Sequence, residues 1–193
     1  MSDQLSIVPV GDKAVAVATL VSAFTNDPVE RWLWPADDDY ATHFAELVDA
    51  MGGAAFETQT AWQLAEFAAV ALWFAPGVEA DGDSIVRVLI ETTTPEKHDD
   101  TIAVLEAMDA AHPRFPHWYL PWFGVDATAQ GRGLGSQLMS KCLEVVAAGH
   151  LPAYLETPNP RNISFYERHG FDVTGNVESG DCPPVTFMLR PAN

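Results

Sequence analysis

The residues of this chain best suited to chemistry lie between Trp118 and Lys141, in the stretch WYLPWFGVDATAQGRGLGSQLMSK. Its first half, Trp118 to Val125, is dense in aromatic and apolar residues and reads as a strand. Its last part sets Leu134, Leu138, Cys142 and Val145 or Val146 on one helical face. Between them, Gly131, Gly133 and Gly135 remove side chains where backbone N–H groups and the positive end of a new helix would otherwise be covered. Such a turn can cradle a phosphate, although a tight strand-to-helix turn also needs glycine for its shape alone. A Walker loop requires Lys followed by Ser or Thr after its last glycine, and here Gly135 is followed by Ser136 and Gln137. A dinucleotide fingerprint spaces its glycines GxGxxG and opens a βαβ unit early in a domain, whereas GRGLG comes late in this chain.

Gln130-Gly131-Arg132-Gly133-Leu134-Gly135, preceded by Gly124-Val125-Asp126, resembles the Q/R-x-x-G-x-G/A signature of the GCN5-related N-acetyltransferases (GNAT family). A second block, NPRNISFYERHGF, resembles the N-x-x-x-F/Y-Y-x-x-x-G-F pattern of the same family through Asn162, Phe165, Tyr166, Gly170 and Phe171. The resemblance implies an α/β (α+β) fold: one domain over 1–193, a central mixed, mostly antiparallel sheet with one parallel strand-helix-strand unit, and helices on both faces. It implies acetyl-CoA as co-substrate, bound by a core over 118–171. There the main chain of Phe123, Gly124 and Val125 would hold the pantetheine arm. The turn formed by Gln130, Gly131, Arg132, Gly133, Leu134, Gly135 and Ser136 would hold the pyrophosphate, and Asn162 and Tyr166 would lie beside the sulfur. Earlier in the chain, a proline-ended tryptophan segment and a long apolar strand are similar to the branch that includes puromycin acetyltransferase.

Acetyl transfer to an amine needs a positioned donor, a neutral nucleophile and a proton for the departing thiolate. Tyr166 is the expected general acid, against the alternative of a core aromatic satisfied elsewhere. Asn162 is expected to touch the co-substrate, against a local cap, and Arg132 to add one charge to the phosphate site. An alkylamine is neutral only about once in 2,500 at pH 7, so a base is required. Glu156, at the end of the strand that follows the glycine-turn helix, is the best-placed carboxylate; an ordinary solvent-facing strand end is the alternative. Trp34, Trp73, Trp118, Tyr119 and Trp122 could wall an acceptor pocket, with Asp27 or Glu30 attracting its positive charge. The six histidines are scattered, no two at ligand spacing on a helix, so no metal is expected. His117 is a secondary candidate for the base. Cys142 sits on a buried-looking helical face, so transfer should be direct, in a ternary complex without a covalent enzyme intermediate.

The elements that must position these groups follow from periodicity and breakers. Ser6 to Val10 can form a first strand, and Asp12 can cap a helix from Lys13 to about Phe24. Asn26-Asp27-Pro28 breaks it, leaving Val29 to Trp34 as a loop or broken helix. Asp37 to Asp39 precede a helix carrying Tyr40, Phe44, Leu47, Val48 and Met51; three acids there suit a helix start better than a cation site. Thr58 to Gln63 and Glu66 to Ala75 read as paired strands, Asp81 to Thr93 as a helix, and Pro95 starts another that ends before Pro113. Ala153 to Thr157 completes the parallel unit, Asn159-Pro160 opens the last helix, and Val173 to Val177 and Val185 to Leu189 close the sheet around GDCPP.

With 193 residues, 48% hydrophobic and 19% charged, the chain has the composition of one folded domain. A net charge of −17 disfavours nucleic acid and favours a cationic substrate, or simply keeps the protein soluble. Two cysteines suit a reducing compartment, and neither a leader nor an apolar run of ~20 residues is apparent, so a cytoplasmic protein with no membrane partner is expected. The combined expectation is acetylation of a small-molecule primary amine, with exposed aromatics favouring a homodimer. The alternatives are a protein or peptide acceptor, or an acyl-CoA-binding sensor without turnover.

Overall fold

The computed structural model describes residues 6–8 and 10–192. Seven strands form one sheet in the order β1-β2-β3-β4-β5-β7-β6. They are β1 (Ser6–Ile7), β2 (Ala61–Leu64), β3 (Ala69–Phe74), β4 (Trp118–Val125), β5 (Ala153–Thr157), β6 (Asp172–Ser179) and β7 (Cys182–Arg190). Every pairing is antiparallel except β4 with β5. This is the mixed sheet expected from the sequence. The first strand covers only part of the expected Ser6 to Val10, and Pro9 lies outside the described residues.

Strand parity decides which helices each residue meets. In β3, all six residues are buried, as its unbroken apolar run requires. Val70, Leu72 and Phe74 face a core built with helices α1 (Lys13–Ala23), α2 (Pro28–Leu33), α3 (Asp37–Gly52), α4 (Ala54–Glu57) and α5 (Gly82–Thr92). Ala69, Ala71 and Trp73 face the other way, against Leu138, Met139 and Cys142 of α7 (Leu134–Ala147) and Tyr166 of α8 (Pro160–Glu167). Helix α6 (His98–Ala111) covers a third cluster, packing Val104 with Tyr154, Cys182, Val185 and Phe187. Helices therefore cover both faces, as expected.

Three local expectations are corrected. The segment Val29 to Trp34 is a regular short helix: Asp27 Oδ1 accepts from the Val29 N–H at 3.1 Å, and Pro28 fills the first-turn position whose N–H needs no partner. Cys182, Pro183 and Pro184 belong to β7 rather than to a connection. The pairing of β7 with β5 begins only at Thr186, so the prolines remove no ladder bond there, and the turn is carried by Gly180 at φ 50°. Asp12 sits in a single 3₁₀ turn and gives α1 no side-chain cap.

Candidate active site

Strands β4 and β5 pair only at Trp118↔Ala153 and Tyr119↔Tyr154, then part. On its other side β4 stays in register with β3 to Val125↔Ala69. The edge of β4 from Phe123 to Val125 therefore has no neighbouring strand on the side where α8 stands.

A long cleft runs along this opening. It is lined by Phe123, Gly124, Val125, Gln130, Gly131, Gly133, Leu134, Gly135 and Ser136 on one side and by Asn162 and Tyr166 on the other. Gly131 and Gly133 hold φ of 76° and 79°, a region where a side chain is strained. Gly133 caps α7 and offers no side chain to the first-turn amides, and the N–H groups of Leu134, Gly135 and Ser136 meet no acceptor among the described residues. These are the free donors and the positive helix end that a phosphate needs. The residues thus fit an acyl-CoA pyrophosphate.

Two expected contacts take a different form. Gln130 turns its side chain inward, Nε2 donating to the Val125 carbonyl at 3.1 Å, which ties the turn to its strand. The Arg132 guanidinium folds onto its own turn, donating to the Thr128 carbonyl at 3.2 Å, and does not line the cleft. The cations lining the cleft among the described residues are Arg161 of α8 and Arg168, which caps its end. Both stand in the NPRNISFYER block, where their charge was the available signal.

A second cavity, about 100 Å³, lies on the α2–α6 side of the sheet and meets the cleft at Phe24, Phe123, Asn162 and Tyr166. Its wall is mostly apolar, with Val29, Leu33, Leu105, Met108 and Trp122 prominent. Of the expected aromatic wall, only Tyr119 and Trp122 reach it. Trp34 is buried with its Nε1 donating to Thr92 at 3.0 Å, and Trp73 and Trp118 lie on the α7 face by strand parity. Trp32, on α2, lines the cavity instead.

Tyr166 is 6% exposed and lines both spaces. Burial, and then the Asp27 carboxylate, push its hydroxyl pKa well above the usual value, so it stays protonated. Asp27 borders the cleft and Glu30 the cavity, each 4% exposed. Burial raises Asp27 to about 6 and, with the charge of Asp27, raises Glu30 further; the Glu30 Oε2 has no hydrogen-bond partner.

Glu156, its side chain 7% exposed, lies between this cavity and a third, open cleft. Its Oε1 is 3.8 Å from His112 Nδ1, and His112 Nε2 is 3.0 Å from His117 Nε2. The histidines, scattered in sequence, are thus partly gathered: His112 caps the end of α6 and His117 immediately precedes β4. Sequence reading missed His112 because nothing in its spacing relates it to Glu156. Cys142 is fully buried and burial pushes its thiol to about 12, which suits packing rather than attack. Among the described residues, no group of three or more His, Cys, Asp or Glu could hold a metal ion, and no helix is long and apolar enough to cross a membrane.

The model of the Acetyltransferase (GNAT) family matches residues 28–171, and the chain belongs to that family. It is therefore an acetyltransferase, for which the family implies acetyl-CoA as co-substrate. An uncharacterized N-acetyltransferase of Schizosaccharomyces pombe is 27% identical over 202 residues, covering 93% of this chain and 79% of that protein. The crystal structure of histone acetyltransferase HPA2 and related acetyltransferase from Corynebacterium glutamicum is 26% identical, with TM-score 0.66 over 100% of this chain and 98% of that one. Arylalkylamine N-acetyltransferase 2 from Aedes aegypti shares the fold at 11% identity, with TM-score 0.67 over 98% and 99% of the two chains.

Proposed function

We propose that this protein transfers acetyl from acetyl-CoA directly to the primary amine of a small, largely apolar molecule. The observation that carries the reading is the meeting of the two spaces at Tyr166 and Asn162: a cleft fitted to the co-substrate opens there into a mostly apolar cavity. The open third cleft carries Glu79, Asp109 and Glu156, but also Arg114 and two histidines. It is not the long acidic groove that a basic peptide would need.

When bound, acetyl-CoA supplies the acyl carbon. The edge of β4 from Phe123 to Val125, where Gln130 Nε2 already donates to the Val125 carbonyl, faces its arm, and the α7 amides with Arg161 and Arg168 hold its phosphates. Glu156 removes the first proton from the ammonium group; the amine nitrogen then forms the new C–N bond as the C–S bond breaks, Tyr166 gives its proton to the leaving sulfur, and the second proton shed by the nitrogen restores the Tyr166 hydroxyl. His117 Nδ1 donates to the Phe115 carbonyl at 2.8 Å, so its neutral ring leaves Nε2 as an acceptor. His112 then donates from Nε2 and turns a bare Nδ1 toward Glu156. The proton taken from the amine leaves along this path into the open cleft.

The test is thiol release from acetyl-CoA against a panel of small amines and short peptides, comparing wild type with Tyr166→Phe and Glu156→Gln. Turnover on a small apolar amine, lost in both variants while acetyl-CoA still binds, is the expected result. Turnover confined to peptides would overturn the acceptor class.

A further inference from the structure

Two carboxylates line the acceptor cavity, Glu30 from α2 and Glu156 from β5, and among the described residues no Lys, Arg or His lines it with them. They occupy different surroundings. Glu156 has the hydroxyls of Tyr119 and Tyr154 and the His112 imidazole as neighbours, so a proton it accepts has a way out. Among the described residues the charge that acts on Glu30 is that of Asp27, a like charge. Its Oε2 is fully buried without a hydrogen-bond partner.

A buried carboxylate left unpaired is strongly destabilising, and natural proteins retain one where it is neutralised or where a ligand completes it. A monoamine placed for attack would occupy the carboxylate that deprotonates it and leave the other unmet. In the same cavity Val29, Met108 and Val185 offer aliphatic packing rather than hydrogen bonds, which suits a methylene chain.

We infer that the acceptor is a diamine with an aliphatic spacer, one amino group acetylated beside Glu156 and the other held as an ammonium ion by Glu30. This rests on the amine-acetylation reading above. The role assigned to Glu30 is binding and selection, since it takes no part in moving the reacting proton.

The experiment pairs each member of a series from diaminobutane to diaminooctane with the monoamine of equal length. It measures kcat and KM by thiol release and, separately, binding by calorimetry on the full chain with CoA present. Glu30→Gln keeps the shape and removes the charge; circular dichroism and thermal melting verify folding. Wild type should favour one diamine over its monoamine by about 30-fold in KM, and Glu30→Gln should erase that preference, the loss falling on the KM of the diamine. Equal use of both, or a preference that survives Glu30→Gln, overturns the inference. If no amine is turned over, the acetyl-acceptor reading fails, and calorimetry still decides this one: Glu30-dependent diamine binding sustains it, and indifference to the second amino group ends it.

Discussion

His112 Nε2 stands 3.0 Å from His117 Nε2, so one ring must donate to the other. The Phe115 carbonyl can only accept, and it takes the proton on His117 Nδ1. That orders the pair in one direction, from Glu156 outward. Burial holds the His117 pKa below its ordinary value, so the ring remains a neutral acceptor to lower pH than a free histidine. A protonated His117 cannot accept, so the acetylation rate should fall with acidity with an apparent pKa below that of free histidine. In His112→Ala this limb should vanish, the neutral-pH rate should drop about 10-fold, and added imidazole should restore part of it. An unchanged pH profile in His112→Ala would remove the pair from the mechanism.

Tyr166→Phe removes the hydroxyl where cleft and cavity meet. A general acid contributes about 10²- to 10⁴-fold, and the loss should fall on kcat, leaving acetyl-CoA affinity intact. Because burial and Asp27 hold the hydroxyl above its usual pKa, the wild-type rate should show no alkaline limb from Tyr166 up to about pH 10. A variant with full kcat would return Tyr166 to the core.

The glycine turn was legible because its shape is a backbone matter: glycine suits φ near 76° and 79° best, at fixed spacing before a helix. The topology was legible for a similar reason, since apolar runs, glycines and prolines delimit elements by local sterics. What could not be read is what strand parity and distant packing decide. Trp73 and Trp118 look like pocket residues until register turns them toward α7. Glu156 and His112 meet because α6 ends where β5 emerges, which no spacing encodes. Helix α2 is too short for periodicity, and Asp27 with Pro28 was its only announcement.

Asp27 should make stability depend on pH. Its folded pKa, about 6, exceeds the ordinary 3.8 through burial, so the folded state holds a proton that the unfolded chain releases. The stabilisation is complete below the unfolded value and is lost as pH rises through about 6, a total on the order of 3 kcal/mol. Glu30 is raised in the same direction. Asp27→Asn keeps the cap of α2 and removes the titration. Thermal melts should therefore show wild type losing stability between about pH 4 and pH 8, and the variant losing clearly less. Equal losses would mean that Asp27 is not desolvated in solution.

Gly133 separates a phosphate cradle from a merely tight turn. Its φ of 79° is left-handed, and a Cβ built there meets nothing within 4 Å, so substitution strains the backbone without a clash inside the protein. Gly133→Ala should cost about 1–2 kcal/mol in stability, and Gly133→Asn distinctly less, because Asn tolerates that region. Gly133 lines the cleft together with Leu134, Gly135 and Ser136, the first residues of α7. If their amides hold the pyrophosphate, Gly133→Asn should melt near wild type yet bind acetyl-CoA about 10-fold more weakly, a loss of roughly 1.4 kcal/mol. If glycine serves only the shape of the turn, the Asn variant will bind as wild type does, and the cradle must lie elsewhere along the cleft.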